Sequence, residues 1–437
     1  MCDSFVALPP ATLNGTTILA KSADCQVNEA HALVRFPARK HAPGAVFKAT
    51  HLVVPQAAET YEVILGKSFW TWGAEIGINE HGVAIGNEAV FTTLQQEEKS
   101  DGLIVIDMLR LGLERGRTAR EALDAITTAL EAIGQGGNCE LAGNSHFDGS
   151  YLIADAHEAW ILETAGRQWA AKQVTDGIGS ISNVLMIGDD WDRSSLKERA
   201  NWANTYSEPS MAPLVGAYER QACSLKGLAA ARGKITVRTA FDVLRQHGED
   251  YHPATSQVHR NICIHAGAGT YQQWQAVGAM VAETSEAGTI GWFTATSGTC
   301  LSIFKPVFTG VELPAMGPLL TEQNDPRTLW WRSELLHRRA MTDFAHFVPE
   351  IRRDFDRLED EFLAAAPSVL TGTLHEKKEF MDDCFERAES ATHGWIQALA
   401  SHDDLAFADE AYRGMWNKYN RMAGFEGLPA QVSAAAD

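Results

Sequence analysis

The sequence lacks any close pair of cysteines. Its seven cysteines are an odd number, are widely scattered over 437 residues, and include no Cys-x-x-Cys pair. Such a set does not form a disulfide framework, and no pair has the short spacing that is typical of a thiolate zinc site. The sequence therefore predicts free cysteines and no metal centre.

The chain also has little basic charge and no long hydrophobic run. Its formal net charge is −19 and its pI is about 5.2, so no basic stripe is available to neutralise phosphates. No run approaches the roughly 20 apolar residues that span a bilayer, and no secretory signal opens the chain. We therefore expect a cytoplasmic protein without a nucleic-acid or membrane partner. A homo-oligomer is compatible with the sequence.

The motifs of nucleotide binding and of several common hydrolases are incomplete. Residues 65–68 have the tail of a phosphate loop, but Tyr61 stands where its first glycine is required. The glycines of 134–137 follow a helix instead of a strand, so they end that helix and form no dinucleotide loop. No Gly-x-Ser-x-Gly elbow occurs. The sequence predicts no metal or organic cofactor.

Residues 1–318 are predicted to form one α+β unit. Short apolar strands joined by Pro-Pro, Asn-Gly and Asn-Glu-His-Gly turns predict hairpins, and the apolar spacing over 103–133 predicts a helix pair. Thr118, with Glu121 three residues later, predicts the start of the second helix. Further strands are predicted at 261–265, 274–283 and 301–307. Hairpins interrupted by a helix pair favour antiparallel sheets covered by helices.

Residues 319–437 are predicted to be helical. Apolar residues from Phe347 to Phe362 recur every three or four positions, and two more helical stretches follow around 375–399 and 405–423. This region carries no chemical motif. We expect it to be a lid, an arm or an assembly element that extends from the core.

Cys2 is the first candidate for chemistry. Removal of Met1, which is common before a small residue, would give Cys2 both a thiol and a free α-amine. An α-amine has an unperturbed pKa of about 7.7–8.0 and can accept the thiol proton, as a histidine does in a catalytic dyad. The alternative is that Cys2 is a small apolar residue on a buried strand.

Four further residues have chemistry that complements a cysteine nucleophile. The strand over 16–24 would return Asp24 to the N-terminus, where a carboxylate can hold an ammonium or orient a thiol. Asn87 and Asn183 stand at strand ends, and an amide NH₂ is a suitable donor for an oxyanion. Arg220 can neutralise buried negative charge. Each residue taken singly is compatible with an ordinary capping or surface role.

Five stretches of the chain carry a resemblance to a known family. The longest extends from Trp72 to Ala89, and the others are Met1 to Thr12, Gly134 to Gly137, Ala159 to Thr164 and Ser302 to Phe308. Together they resemble the secernin and C69 dipeptidase family, and the secernin branch most, and the resemblance covers nearly the whole sequence.

The resemblance implies a four-layer αββα sandwich, the N-terminal-nucleophile hydrolase fold, with a helical C-terminal extension. It implies cysteine-type amide hydrolysis by Cys2 after Met1 is removed, with a small peptide or amide as substrate. By motif, the strand-end Asp, the two Asn and the Arg of related acylases fall on Asp24, Asn87, Asn183 and Arg220.

Substrate contacts are expected from Lys21, Trp72, Glu75 and Glu88. Acylases usually carry Arg where this chain has Lys21, and Lys offers a point charge instead of a bidentate fork. Glu75 and Glu88 are equally compatible with gripping a substrate ammonium and with a structural role. A dipeptidase is the favoured function. An acylase for another small amide and a non-catalytic secernin-like scaffold are the alternatives.

Overall fold

Two antiparallel sheets form the centre of the fold. The computed structural model describes residues 1–96, 102–248, 251–256, 260–267, 269, 273–400 and 409–425. Within these residues, one sheet has six strands and the other eight, and all of their pairings are antiparallel.

The strands are, in chain order, β1 (Asp3–Ala7), β2 (Thr17–Gln26), β3 (His31–Phe36), β4 (Arg39–Lys40), β5 (Val46–Lys48), β6 (Val53–Pro55), β7 (Glu59–Thr60), β8 (Val63–Ser68), β9 (Ile76–Asn79), β10 (Ala84–Val90), β11 (Asp148–Ala154), β12 (Ala159–Ala165), β13 (Gln168–Gln173), β14 (Ile178–Ile181), β15 (Arg193–Ser194), β16 (Trp274–Ser285), β17 (Gly288–Phe293) and β18 (Lys305–Val307). The six-stranded sheet has the order β14-β1-β2-β16-β17-β18. The eight-stranded sheet has the order β15-β13-β12-β11-β10-β9-β8-β3, and two small ribbons pair β4 with β7 and β5 with β6.

The α-helices are α1 (Val105–Arg115), α2 (Ala119–Ala132), α3 (Trp202–Tyr206), α4 (Met211–Leu214), α5 (Ala217–Ala230), α6 (Val237–Leu244), α7 (Leu329–Ala340), α8 (Phe344–Leu370), α9 (Leu374–Ala400) and α10 (Glu410–Ala423). Short 3₁₀ turns cover Thr93–Gln96, Thr299–Leu301 and Met341–Asp343.

Four layers result from the packing of these elements. The inner faces meet where β1 and β2 pack on β10, and β16 packs on β8 and β9. Helices α1 and α2 cover the outer face of the eight-stranded sheet, whereas α5 and α6 cover the six-stranded sheet. The predicted αββα sandwich is therefore confirmed.

Local sequence signals explain where several elements begin and turn. Thr118 caps α2 by accepting a hydrogen bond from the backbone N–H of Glu121, and Thr236 caps α6 in the same way. Asn79 closes the turn between β9 and β10 by accepting from the backbone N–H groups of His81 and Val83. Gly82 supplies the positive φ of +82° that this turn requires.

The helices after residue 328 pack on the far end of the six-stranded sheet. Helix α8 contacts β17 and β18, and α9 contacts β18 and α7. Phe347, Ile351, Phe355 and Phe362 are buried on one face of α8, as their spacing predicts. The boundary at residue 318 remains a prediction. No described helix is both long and apolar enough to cross a membrane.

The predicted strand at 261–265 is wrong. These residues are irregular, although the carbonyl of Ile264 accepts a hydrogen bond from the backbone N–H of Ala276 in β16. Of the predicted strand at 301–307, only Lys305–Val307 is a strand, because a 3₁₀ turn covers Thr299–Leu301. Both segments are apolar enough to resemble buried strands, because their apolar side chains belong to the main hydrophobic core.

Candidate active site

A cavity of about 350 Å³ opens beside the N-terminus of β1. Its described lining comes from both sheets, from the segment before α1 and from the loop that leads into β11. Its residues include Cys2, Asp24, Glu75, Asn87 and Asn183. A cavity of this size accommodates a small ligand. The topology therefore brings five of the nine predicted site residues to one cavity.

Cys2 is fixed by the hairpin of β1 and β2. The register pairs Asp3 with Ser22, so Cys2 lies beside the end of β2. The backbone N–H of Asp24 lies 3.4 Å from the Cys2 Sγ and donates to it, and Cys2 is 8% exposed at the cavity wall. Met1 also lines the cavity, so its removal would leave the α-amine of Cys2 facing that space.

Arg220 of α5 holds the backbone around Cys2. Its guanidinium donates to the Cys2 carbonyl at 3.0 Å, to the carboxylate of Asp3, and to Oδ1 of Asn183 at 2.7 Å. The same Asn183 oxygen accepts from the backbone N–H of Cys2 at 2.8 Å. Arg220 and Asp3 are fully buried, so their charges compensate each other away from water. Arg220 therefore holds the carbonyl of Cys2 together with the side chains of Asp3 and Asn183.

Asp24 is a buried carboxylate with an unsatisfied oxygen. Its Oδ1 accepts from Ser22, whereas Oδ2 has no hydrogen-bond partner among the described residues. Burial raises the pKa of Asp24 to about 7, although the nearby N-terminal ammonium opposes that shift. A cationic group that donates a hydrogen bond at this position would give Asp24 Oδ2 the partner that it lacks.

A second buried charge pair lies between the sheets beneath Cys2. Lys21 Nζ is 3.8 Å from Glu88 Oε1, both side chains are inaccessible to solvent, and Ser4 Oγ donates to Glu88 at 2.6 Å. Burial alone would lower the pKa of Lys21, but the Cys2 thiolate and Glu88 outweigh it and raise that pKa. Burial raises the pKa of Glu88 to about 8, against the opposing effects of Lys21 and Ser4. Lys21 therefore supplies positive charge beneath the thiol.

Asn87 contributes an uncommitted amide to the cavity. It lies in β10 opposite Tyr151 of β11, and its side chain is 4% exposed. Its Oδ1 is buried without a partner, and no described residue forms a hydrogen bond with its side-chain amide. An amide that protein groups leave free is available to a ligand. Asn183 differs, because its Nδ2 already donates to the Ala89 carbonyl at 2.7 Å.

One side of the cavity is acidic. Glu29, Glu75 and Glu140 line it, and no lysine or arginine is among its described lining. Glu75 accepts from the backbone N–H of Ser68 at 3.2 Å and lies 3.0 Å from His31, whose interaction opposes burial, and the pKa of Glu75 is lowered. Burial raises the pKa of Glu29 to about 7, although Ser68 and Trp70 donate to its carboxylate. This side favours a cationic group.

Three of the predicted substrate contacts, Lys21, Trp72 and Glu88, lie away from the described cavity wall. The described lining of the cavity includes none of them, because Lys21 and Glu88 point between the sheets. Trp72 instead stacks on Phe47 with ring centroids 4.6 Å apart, and Arg110 lies over its ring.

Trp70 and Glu29 are cavity residues that sequence reasoning missed. Trp70 is two positions before Trp72, and its indole N–H donates to Glu29 at 2.8 Å. The closeness of Trp70 to Trp72 in the sequence was a signal that Trp70 could line a pocket. Glu29 lies in the turn after β2, and nothing in its local sequence distinguishes it from a surface acid.

The fold and the site define the class of the protein. Two antiparallel sheets between helical layers, with β1 beginning at a cavity-lining cysteine, form the N-terminal-nucleophile hydrolase architecture. Residues 1–200, which supply Cys2, Asp24, Asn87 and Asn183, match the model of peptidase family C69. The resemblance to that family is thus confirmed over this part, and the chain is a hydrolase of the peptidase or amidase type. The secernin branch remains a prediction.

The solved structures that match this chain are only distantly similar to it. A C2A mutant of conjugated bile acid hydrolase from Clostridium perfringens is 10% identical, with 67% of this chain and 88% of that chain covered and a TM-score of 0.42. The Caenorhabditis elegans ortholog of N-acylethanolamine-hydrolyzing acid amidase is 11% identical, with coverages of 64% and 92% and a TM-score of 0.36. Penicillin V acylase from Agrobacterium tumefaciens is 14% identical, with coverages of 70% and 86% and a TM-score of 0.38.

Proposed function

We propose that the protein is a dipeptidase that uses Cys2 as its nucleophile once Met1 has been removed. The Cys2 sulfur forms a bond to the carbonyl carbon of the substrate amide, and its proton passes to the α-amine of the same residue. The carbon–nitrogen bond then breaks, and the departing amine takes that proton. Water attacks the resulting thioester, which returns the proton to sulfur and releases the acid.

One observation carries this proposal: hydrogen bonds fix the nitrogen, the carbonyl and the sulfur of Cys2 at the wall of an acidic cavity. Asn183 accepts from its backbone nitrogen, Arg220 donates to its carbonyl, and the N–H of Asp24 donates to its sulfur. A buried cysteine that only fills space needs none of these contacts. The free carboxylate oxygen of Asp24 provides an acceptor for the α-ammonium that forms during the reaction.

Asn87 is assigned to the oxyanion. The negative oxygen that develops on the attacked carbonyl needs a donor that is already in place. The Asn87 amide has no competing partner among the described residues and lines the same cavity. Lys21 lies below the thiol, where its ammonium forms the buried pair with Glu88.

The acids of the cavity favour a substrate with a free amino group. Glu29 and Glu75 lie on its wall, and no described lysine or arginine on that wall competes for them. An ammonium between two carboxylates gains more in this buried site than at a solvated surface. Glu29 is therefore assigned to the substrate ammonium, and Glu75 to both that ammonium and His31. A cytoplasmic location remains a prediction from the sequence.

Intact mass and thiol labelling test the nucleophile. We expect the purified chain to have lost the mass of Met1, and substoichiometric iodoacetamide to modify Cys2 before the other cysteines. Cys2→Ala abolishes both the label and the hydrolysis, whereas Cys223→Ala, at a half-buried thiol outside the cavity, retains both. Retained Met1 in an active preparation, or activity in Cys2→Ala, refutes the proposal.

A substrate panel separates the alternatives. Each dipeptide is compared with its N-acetylated form, and Glu29→Gln is expected to raise KM for the free dipeptide about tenfold while leaving the acetylated form unchanged. Preference for acylated substrates by an enzyme that still needs Cys2 indicates an acylase. No turnover and no selective labelling of Cys2 would indicate a scaffold.

A further inference from the structure

A cluster of metal-ligating side chains lies outside the catalytic cavity. It consists of His247, Cys263, His265 and Cys300, whose ligand atoms all lie within 4.8 Å of one another. His247 follows α6, Cys263 and His265 lie on the irregular segment before β16, and Cys300 lies in the 3₁₀ turn after β17. None of the four lines the cavity that contains Cys2.

The three separations measured from His265 are close to those between the ligands of one tetrahedral zinc ion. Zinc–sulfur bonds of about 2.3 Å and zinc–nitrogen bonds of about 2.0–2.1 Å place neighbouring ligand atoms roughly 3.3–3.8 Å apart. From Nε2 of His265 the distances are 3.2 Å to His247 Nε2, 3.3 Å to Cys300 Sγ and 3.6 Å to Cys263 Sγ. The four side chains therefore need little movement to share one ion.

The arrangement around His265 fits poorly with hydrogen bonding alone. Its Nδ1 is 2.9 Å from Nε2 of His337, and Nδ1 of His337 is 3.2 Å from Glu334. Two N–H donations along this chain, from His265 to His337 and from His337 to the carboxylate, leave Nε2 of His265 unprotonated. That nitrogen has one lone pair but three potential donors around it. A metal ion would use the lone pair and leave the other three groups as ligands.

The chain from His265 to Glu334 is itself typical of metal sites. A ligating histidine usually donates its second N–H to a carboxylate or another acceptor, which fixes its tautomer and orientation. Glu334 is fully buried and also accepts from Arg338 and Gln275, so its position is firmly set. His247 is packed between Tyr251 and Phe344, with ring centroids 5.1 and 5.3 Å away. Two of the four ligands are thus oriented by neighbours beyond the cluster.

We propose that His247, Cys263, His265 and Cys300 bind one structural Zn²⁺ ion. Two thiolates neutralise the dication, so the loaded site adds no net charge to a region where three of the four ligands are buried. Four protein ligands leave no position for water or substrate, which is the arrangement of structural and not catalytic zinc. The sequence prediction of no metal centre depended on closely spaced cysteine pairs, and here the two cysteines are 37 positions apart.

The ion would fix the strand that supports the catalytic hairpin. Ala276 of β16 donates to the carbonyl of Ile264, next to two ligands, and accepts from the N–H of Gly298, two residues before Cys300. Ala276 is also the register partner of Asp24 in β2. Two of the three segments that supply ligands therefore bracket the position at which β16 meets the candidate active site.

Metal analysis of the full chain tests the site directly. The chain is expressed without a histidine tag, purified without chelators and analysed by plasma mass spectrometry, and we expect close to one zinc ion per chain. Co²⁺, introduced by exchange or by growth in cobalt-supplemented medium, should give the intense visible absorption of tetrahedral cobalt and a thiolate-to-cobalt charge-transfer band.

Matched variants assign the ligands. Cys263→Ser and Cys300→Ser should each weaken Co²⁺ binding at least tenfold and diminish the charge-transfer band, whereas Cys384→Ser, at a buried thiol elsewhere, should change neither. His337→Gln should weaken binding by about 10–100-fold, the range expected when the partner of a ligating histidine is lost.

Three results would overturn the assignment. The first is that the chain carries no metal and takes up neither Zn²⁺ nor Co²⁺. The second is a Cys263–Cys300 disulfide in the native protein. The third is cobalt absorption without a thiolate-to-cobalt charge-transfer band. If a serine variant does not fold, the cobalt spectrum of the wild-type chain decides. Because this readout is metal content and not hydrolysis, it is independent of the proposed dipeptidase function.

Discussion

Replacing Arg220 with methionine tests whether its buried guanidinium holds the N-terminal strand. Methionine retains an unbranched apolar side chain but removes the donors to Val215, Cys2, Asp3 and Asn183. The carboxylate of Asp3 then remains buried without its counter-charge. Breaking a buried ion pair by removing one partner costs about 3–5 kcal/mol, which is roughly a 10²- to 10⁴-fold change in the unfolding equilibrium.

The assay is guanidinium chloride denaturation followed by tryptophan fluorescence, with a double-mutant cycle. Asp3→Asn removes the charge that Arg220→Met leaves uncompensated. The double variant should therefore be more stable than the sum of the single effects by about 0.5–3 kcal/mol. Arg387→Met is the control, because Arg387 forms exposed ion pairs with Glu361 and Asp383, and its loss should cost at most about 1 kcal/mol.

Arg220 does not stabilise the N-terminal strand through Asp3 if Arg220→Met costs no more than Arg387→Met, or if the double variant equals the sum of the single variants. The first result would mean that water or relaxation compensates Asp3. The second would mean that Arg220 and Asp3 do not interact in the folded chain. Arg220→Lys should lie between the wild type and Arg220→Met, because lysine keeps the charge but loses the fork.

Three further predictions follow from backbone space and from buried charge. Gly86→Ala should destabilise the chain by about 1–3 kcal/mol, because a Cβ there would lie 2.5 Å from Ser4 Oγ. Gly414→Ala in helix α10 is the control: a Cβ there meets open space, so this variant should be more stable than the wild type by about 0.5–1 kcal/mol. Equal denaturation midpoints for the two variants would contradict this prediction. Burial lowers the pKa of Lys305 to about 7 from 10.5, so the unfolded chain binds more protons between those values. The unfolding free energy of the wild type should therefore increase relative to that of Lys305→Met as pH rises from 7 to 10.5. A difference between the two that does not change with pH would refute this prediction. If the proposed hydrolysis is correct, kcat/KM should rise as pH increases through about 7, where Asp24 ionises, and Asp24→Asn should retain only the rise that belongs to the α-amine.

Much of the fold could be predicted because its signals are local. The cap at Thr118, the turn at Asn79 and the apolar face of α8 each depend on residues within a few positions of one another, and all three are present. The hairpin of β1 and β2 is equally local, so the proximity of Cys2 and Asp24 followed from their positions along two paired strands. The segment at 261–265 was misassigned because a short apolar run has no periodicity that separates a strand from an irregular buried segment.

The site itself was only partly predictable. Cys2, Asp24, Asn87, Asn183 and Glu75 share the cavity, but alternation along β2 and β10 decided that Lys21 and Glu88 point between the sheets instead. Which of two nearby tryptophans faces the cavity depended on how the loop after β8 packs on α1. That packing involves Phe47 and Arg110, which are distant in sequence.

The sequence by itself determined much of the secondary structure, the position of Cys2 and the family resemblance, because these depend on short-range patterns and on one long motif. Only the tertiary structure decided that Arg220 reaches Asp3 across 217 positions, that Glu29 faces the cavity, and that His247, Cys263, His265 and Cys300 meet. Those contacts arise from the stacking of layers, which joins segments that share no spacing along the chain. The partner of a buried charge, or the other members of a ligand set, can therefore be identified only from the tertiary structure.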